Sequence, residues 1–287
     1  MWFGLGAITL ILIGWSVASA RRVLYPERRT LPILTPVPPY RSHTLTASDG
    51  DPLEIWVLEP AAPRGRLLLC HGYYANRYQM LSLAHGLREQ GYETVLFEMR
   101  GHGTRPGPCT LGIKERADAE AILRWAQSRD GSHPLPLGAV GFSMGGAVIC
   151  QLASRAPEVR ALVVDSIYSR LFPVLTRAIR EQYHLPAIPW AYLTWWTVQL
   201  LLGRRLAALD PVTLAPRLRR PLFAIQGGEE RRVAPRLSDE LFRQWAGPKE
   251  QWVGPQVAHV GMFAHAPDEY CRRVAAFFDR TLTSMSA

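Results

Sequence analysis

The sequence has almost no lysine. Lys114 and Lys249 are its only two, so arginine supplies nearly all of the 33 basic residues, which face 24 acidic ones for a formal net charge of +9. The arginines are scattered. No run of five or six like charges appears, and no nucleic-acid motif accompanies the charge, so the balance predicts no nucleic acid partner. It reads as a solvated surface with a weak attraction to an anionic membrane. Cysteine is also scarce. Cys70, Cys109, Cys150 and Cys271 lie far apart and form no C-x-x-C pair, which removes the usual signature of a zinc site. Cys70 and Cys150 fall in apolar segments and read as core residues. A chain of 287 residues needs no disulfides to hold a core, and the cysteine usage leans towards a reducing compartment. No metal and no organic cofactor is expected.

Charge is missing altogether from Trp2 to Ala20. Nineteen residues of helix cover about 28 Å, close to the hydrocarbon thickness of a bilayer. Arg21 and Arg22 follow at once. Two readings are open for residues 1–20. One is an uncleaved transmembrane anchor whose flanking arginines hold the following domain in the cytoplasm. The other is a cleaved signal, with Ala18-Ser19-Ala20 as the cleavage site and a secreted or periplasmic product. The absence of basic residues before the apolar run favours the anchor. Residues 21–40 follow as a linker, with prolines at 26, 32, 36, 38 and 39.

From residue 41 to 287 the chain alternates strand and helix patterns, which predicts one α/β domain with a mainly parallel sheet covered on both faces. Strands are expected at 53–58, 66–70, 94–98, 137–142, 161–164, 221–225 and 251–253. Helices are expected at 76–90, 114–129, 144–155, 235–245 and from about 267. Ala119, Ile122, Leu123 and Ala126 mark one buried helical face, and Tyr270, Val274, Phe277 and Phe278 another. Residues 166–220 interrupt the rhythm. They are too long for an ordinary crossover and carry Phe172, Trp190, Tyr192, Trp195 and Trp196. The segment reads as a helical cap over the C-terminal edge of the sheet, where such sheets bind ligands. A cap dipping into the membrane interface is a further reading.

Gly141-Phe142-Ser143-Met144-Gly145 follows one predicted strand and opens a helix. A turn this tight excludes bulky flanking residues and drives the serine to the strand tip, so Ser143 is the candidate nucleophile. The N–H of Met144, at a helix start, can bind an oxyanion. A second donor is expected from the N–H of Tyr73, after the strand that runs into His71-Gly72. His71 itself is read as ordering that turn. A serine hydroxyl needs a base. His259, shortly after the last predicted strand, is favoured over His265. The acid that would fix the histidine tautomer is sought on the loop after the strand at 221–225. Glu230 leads there, with Glu229 beside it and Asp165 as the alternative on an earlier strand.

These residues resemble the α/β-hydrolase superfamily, within its esterase, lipase and serine-aminopeptidase-like group, over roughly residues 45–280. His71-Gly72 is similar to the family's oxyanion loop, and Arg100-Gly101-His102-Gly103 to its R-G-x-G turn. Gly112, Glu115 and Asp118 resemble G-x-x-E-x-x-D. Residues 227–233 resemble the acid loop G-x-x-D-x-x-V, with Glu230 where the family usually has aspartate. Ala258-His259-Val260-Gly261 followed by Pro267-Asp268-Glu269-Tyr270 is similar to the histidine loop and last helix. The resemblance implies an α/β-hydrolase fold and hydrolysis of an ester or similar acyl bond through Ser143, His259 and Glu230. The aromatic segment suggests an apolar substrate. A peptidase or amidase, an acyltransferase, and a membrane-tethered binding protein without activity are the alternatives.

Overall fold

The structure is a computed structural model that describes residues 2–28, 37–131 and 134–282, with side chains from residue 6. Residues 29–36 of the expected proline-rich linker lie outside the described residues. Eight strands form one sheet: β1 (Arg41–Thr46), β2 (Pro52–Leu58), β3 (Arg66–Cys70), β4 (Glu93–Phe97), β5 (Leu137–Phe142), β6 (Val159–Asp165), β7 (Leu222–Gly227) and β8 (Lys249–Gly254). Their spatial order is β1-β2-β4-β3-β5-β6-β7-β8. β1 and β2 run antiparallel to their neighbours, and every pairing from β4 to β8 is parallel. The helices are α1 (Trp2–Leu24), α2 (Tyr78–Glu89), α3 (Ile113–Asp130), α4 (Met144–Ala153), α5 (Leu171–Tyr183), α6 (Tyr192–Leu202), α7 (Pro211–Leu214), α8 (Pro235–Gln244), α9 (Met262–His265) and α10 (Pro267–Leu282).

Why the central strands read as unbroken apolar runs is clear from burial. In β3 all five residues are buried. Leu68 and Cys70 join the core on one face, while Leu67 and Leu69 join the core on the other. Successive side chains point to opposite faces, and both faces are covered, so neither position tolerates a polar group. α3 and α4 close the first face and α2 and α10 the second. The helical faces at Ala119, Ile122, Leu123 and Ala126, and at Tyr270, Val274, Phe277 and Phe278, are buried as their spacing requires.

β1 carries no such signal. It pairs only with β2 at the sheet edge, and no residue of it is fully buried. β8, at the other edge, runs three residues longer than expected, adding the exposed polar Lys249 and Glu250 at its start and the buried Gly254 at its end. α1 is the single described helix long and apolar enough to cross a membrane, by length and composition. Its C-terminal end is fixed to the domain. The Tyr73 hydroxyl donates to the Val23 carbonyl at 2.8 Å, and the Cys109 N–H to the Leu24 carbonyl at 2.7 Å.

The Arg100 turn and the Gly112–Asp118 motif turn out to be one structure. Arg100, buried, forms two hydrogen bonds to Asp118 at 2.7 and 2.8 Å and two to Asp49 at 2.7 and 2.8 Å. Arg105 adds a contact to Asp118 at 2.9 Å. Glu115 accepts hydrogen bonds from Thr110 N–H, the Thr110 hydroxyl and Gly112 N–H, which caps the first turn of α3. These charges are out of water and depend on one another. Arg100→Ala should therefore lower stability by about 3–5 kcal/mol, because Asp118 would lose its bidentate partner while buried. A urea denaturation midpoint within error of wild type would contradict this.

Candidate active site

Parallel strands deliver their C-terminal ends to one edge of the sheet. β3 ends there in His71-Gly72-Tyr73, β5 in Ser143, β6 in Asp165-Ser166, and the loops after β7 and β8 bring Glu230 and His259. Ser143 has φ +50° and ψ −112°, a conformation that non-glycine residues adopt only where the surroundings impose it. The constraint is visible in the backbone. A Cβ on Gly145 would overlap the Cys70 carbonyl, so the start of α4 can press against β3 only as glycine. The Ser143 N–H donates to the Asp165 carbonyl at 2.8 Å, which ties the turn to β6. The serine side chain is half-buried and so reachable from outside.

Gly72 lies close by, such that a Cβ there would stand 3.7 Å from the Ser143 Cβ. Its N–H donates to Gln79 Oε1 at 2.8 Å, which holds the loop in place. His71 is fully buried behind it. Its Nε2 accepts from the Met99 N–H at 3.0 Å, and Nδ1 bonds the Gly72 carbonyl at 2.8 Å. Both nitrogens are engaged by backbone, so His71 orders the turn. Among the described residues, neither Tyr73 N–H nor Met144 N–H is taken up by a loop or turn acceptor.

The His259 Nδ1 lies 2.5 Å from Glu230 Oε2. The other Glu230 oxygen accepts from Arg232 N–H at 2.7 Å and Val233 N–H at 3.0 Å. The two loops pack backbone on backbone: Glu229 N–H donates to the Val257 carbonyl at 3.0 Å, and a Cβ on Gly227 would overlap that same carbonyl. Glu229 itself is exposed, and so is His265. Asp165 is fully buried and forms no hydrogen bond to His259. Its oxygens accept from the Ser166 hydroxyl at 2.9 Å and the Tyr270 hydroxyl at 3.0 Å. Ser166 in turn accepts from Val260 N–H at 2.9 Å, next to the histidine. No hydrogen bond joins the Ser143 hydroxyl to the His259 ring among the described residues; such bonds are often loose without substrate.

A family model described as the alpha/beta hydrolase fold matches residues 65–187. The uncharacterised protein MT2364 of Mycobacterium tuberculosis is 30% identical over 260 residues, covering 88% of this chain and 83% of that protein. The chain is an α/β hydrolase. The esterase Pf2001 of Pyrococcus furiosus superposes with a TM-score of 0.75 at 25% identity, over 91% of this chain and 98% of that one. The acylaminoacyl peptidase of Pyrococcus horikoshii shares the fold with a TM-score of 0.65 at 18% identity, over 85% of this hydrolase and 42% of the peptidase.

The electrostatics of the hydrolase separate the two candidate acids. Burial would raise Glu230, but the His259 hydrogen bond and charge, with the Val233 and Arg232 N–H groups, hold it below the ordinary glutamate value. Asp165 is pushed up to about 6 by burial, offset only in part by Ser166 and Tyr270. Two surface cavities, of about 250 and 150 Å³, lie away from these residues, one beside β8 and α10 and the other between α3 and the N-terminal ends of β3, β5 and β6. Neither cavity is lined by Ser143, His259 or Glu230, so cavity size does not locate the candidate site. Ser166 and Gln79 were not singled out by sequence, and Tyr270 was named only as a buried helix position and as part of the segment 267–270, not for its hydroxyl.

Asp165 also makes stability depend on pH in a defined direction. Its folded value, about 6, lies above its ordinary value of 3.8. The proton it holds stabilises the fold at low pH, and that contribution is lost as pH rises through about 6. Asp165→Asn removes this term. Its stability relative to wild type should rise as pH goes from about 4 to about 7, measured by urea melts. A difference that stays flat or falls across that range would refute the assignment.

Proposed function

We propose that this α/β hydrolase cleaves a carboxylic ester, or a similar acyl bond, through Ser143, His259 and Glu230. The observation that carries the proposal is the 2.5 Å pair between His259 Nδ1 and Glu230, on a loop tied through Val260 to the same end of β6 that holds Ser143 at positive φ. With Nδ1 bonded to a carboxylate, the proton resides there, and Nε2 is left as the acceptor for the serine hydroxyl. Ser143 Oγ attacks the acyl carbon while His259 takes its proton. The N–H groups of Tyr73 and Met144 stabilise the oxyanion, and Glu230 stabilises the imidazolium. His259 then protonates the leaving alcohol and later activates water to release the acyl-enzyme. The segment between β6 and β7, which holds α5, α6 and α7, is proposed as a cap whose aromatic residues favour an apolar acyl or aryl substrate. Likeness to the esterase Pf2001 supports a small-molecule ester over a peptide.

We propose membrane association through α1, with the catalytic domain in the cytoplasm. Ser16, Ser19 and Ala20 are buried against the rest of the protein. Cleavage after Ala20 would strip these contacts, which supports a retained helix over a removed signal.

A fluorophosphonate probe should label the wild type and leave Ser143→Ala unlabelled. Glu230→Gln should lower kcat for a chromogenic ester by about 10³–10⁴-fold, as expected when a histidine loses its tautomer partner, while Asp165→Asn should stay within about tenfold. Equal labelling of Ser143→Ala, or a larger loss in Asp165→Asn than in Glu230→Gln, would overturn the assignment. A panel of esters and peptides tested on the same protein separates an esterase from a peptidase.

A further inference from the structure

α6 is built inside out for a helix in water. Its buried positions include Thr194 and Val198. Its outward stripe is Tyr192, Trp196 and Leu200, with Trp196 63% and Leu200 80% exposed. A soluble helix places its apolar stripe against the core and its polar residues outside. Beside it runs α1, which exposes Ile8, Leu10, Ile11, Ile13 and Val17. Two neighbouring helices therefore present large apolar side chains to the surroundings, more than scattered surface leucines account for.

The two helices are joined by hydroxyl groups. Ser16 Oγ donates to the Leu193 carbonyl at 3.2 Å and is hydrogen-bonded to the Thr197 hydroxyl. Ser19 and Thr194 hydroxyls meet at 2.7 Å. Small hydroxylated residues at a helix seam are the means by which helices associate in lipid. The register also gives direction: position 16 faces 197 and position 19 faces 194, so the helices are antiparallel. α6 is flanked by two residues buried in the domain, Ala191 before it and Leu206 after it, and the Leu206 N–H turns back onto Gln199 Oε1 of α6 at 3.0 Å. The pair thus lies along the surface of the domain.

This orientation is hard to combine with α1 crossing the bilayer. Suppose that Arg21 and Arg22 sat at the headgroups and α1 ran straight through. Ser16 and Thr197 would then be about 7 Å inside, and α6 would descend further. Exposed Arg204 and Arg205, just past its end, would be carried into hydrocarbon, where an arginine costs several kcal/mol, about 2.5–3.5 on insertion scales. Suppose instead that the boundary were drawn beyond α6. Only about ten residues of α1 would remain, roughly 15 Å of helix against about 30 Å of hydrocarbon. A pair lying in the plane of the interface meets neither difficulty. Its apolar residues face the acyl chains, and Arg21 and Arg22 at one end and Arg204 and Arg205 at the other stay among the headgroups.

We infer that α1 and α6 together form a monotopic docking surface for an anionic lipid bilayer, inserted in one leaflet without crossing it. Cap and membrane contact are then the same element, and a substrate drawn from the lipid phase would meet the cap first. The inference concerns where the molecule sits and does not rest on the hydrolytic reading.

The test is depth measurement on the full chain. Ile8→Cys, Leu200→Cys and Gln127→Cys, each labelled with an environment-sensitive fluorophore, are bound to phosphatidylcholine–phosphatidylglycerol vesicles. The four native cysteines are buried and give little background. Ile8 and Leu200 are exposed, and Gln127 is exposed on α3, so each variant should fold; near-ultraviolet circular dichroism checks this. Nitroxides carried near the headgroup end of the acyl chain should quench positions 8 and 200 at least about twofold more than nitroxides at the terminal methyl, with position 127 unquenched by either. Stronger quenching of position 8 by the deep nitroxide would overturn the inference in favour of a crossing helix. An unquenched position 200 would overturn it too, leaving α6 outside the lipid, and dependence of its emission on protein concentration would then point to a second copy of the chain as the occupant. Because no turnover is read, loss of hydrolytic activity would leave the result interpretable.

Discussion

The end of β6 is where the site is held together. Asp165 and Ser166 occupy two adjacent positions, yet they reach both halves of the proposed machinery. The Asp165 carbonyl accepts the Ser143 N–H, and the Ser166 hydroxyl accepts the Val260 N–H while donating to the Asp165 carboxyl group. Serine and histidine arrive on chain segments more than a hundred residues apart, and neither segment alone could place them. Their relative position is set through a third strand lying between them in the sheet. Ser166 and Val260 both have φ near +55°, so this bridge, like Ser143, is held in a backbone conformation that only surrounding contacts maintain.

Those contacts become possible because main chain approaches main chain without side chains between. The start of α4 presses on the end of β3 at Gly145, and the acid loop presses on the histidine loop at Gly227. Each approach removes the room for a Cβ. The same parallel topology that exposes N–H groups at the start of α4 also packs the loops close enough to fix their geometry. A site assembled this way resists small displacements, which is what proton transfer over hydrogen-bond distances requires.

Much of this was legible from residue order. The turn at residues 141–145, its strand and its helix were readable because glycine, serine and glycine at fixed spacing admit few structures. β3 and β5 were readable because burial on both faces leaves them apolar, apart from Arg66 at the start of β3. β1 was not, since an edge strand with one half-covered face has no alternation strong enough to detect. Glu230 was preferred to Asp165 on loop position, and it is Glu230 that bonds His259, whereas the surroundings of Asp165 lay beyond the sequence. Both of its oxygens are occupied by hydroxyls delivered from Ser166 and from Tyr270. Tyr270 is 105 residues away and reads as a core aromatic, so no local pattern could reveal that its hydroxyl ends on a carboxyl group. The Arg100–Asp118 ion pair was likewise visible only as two unrelated motifs.

The substitution of glutamate for the family's aspartate has its own physical logic. A longer side chain brings an extra rotatable bond, and an acid that wanders cannot hold an imidazole in one tautomer. Here the extra length is used up by folding back. One oxygen is fixed by the N–H groups of Arg232 and Val233, two and three residues along its own loop, and only the other points at His259. The carboxylate is nearly closed off from solvent, so an ionised form survives there only because three donors surround it. The backbone donors are permanent and hold their oxygen independently of the imidazole. The loop therefore favours the charged carboxylate, which is the form that the proposed role of Glu230 requires.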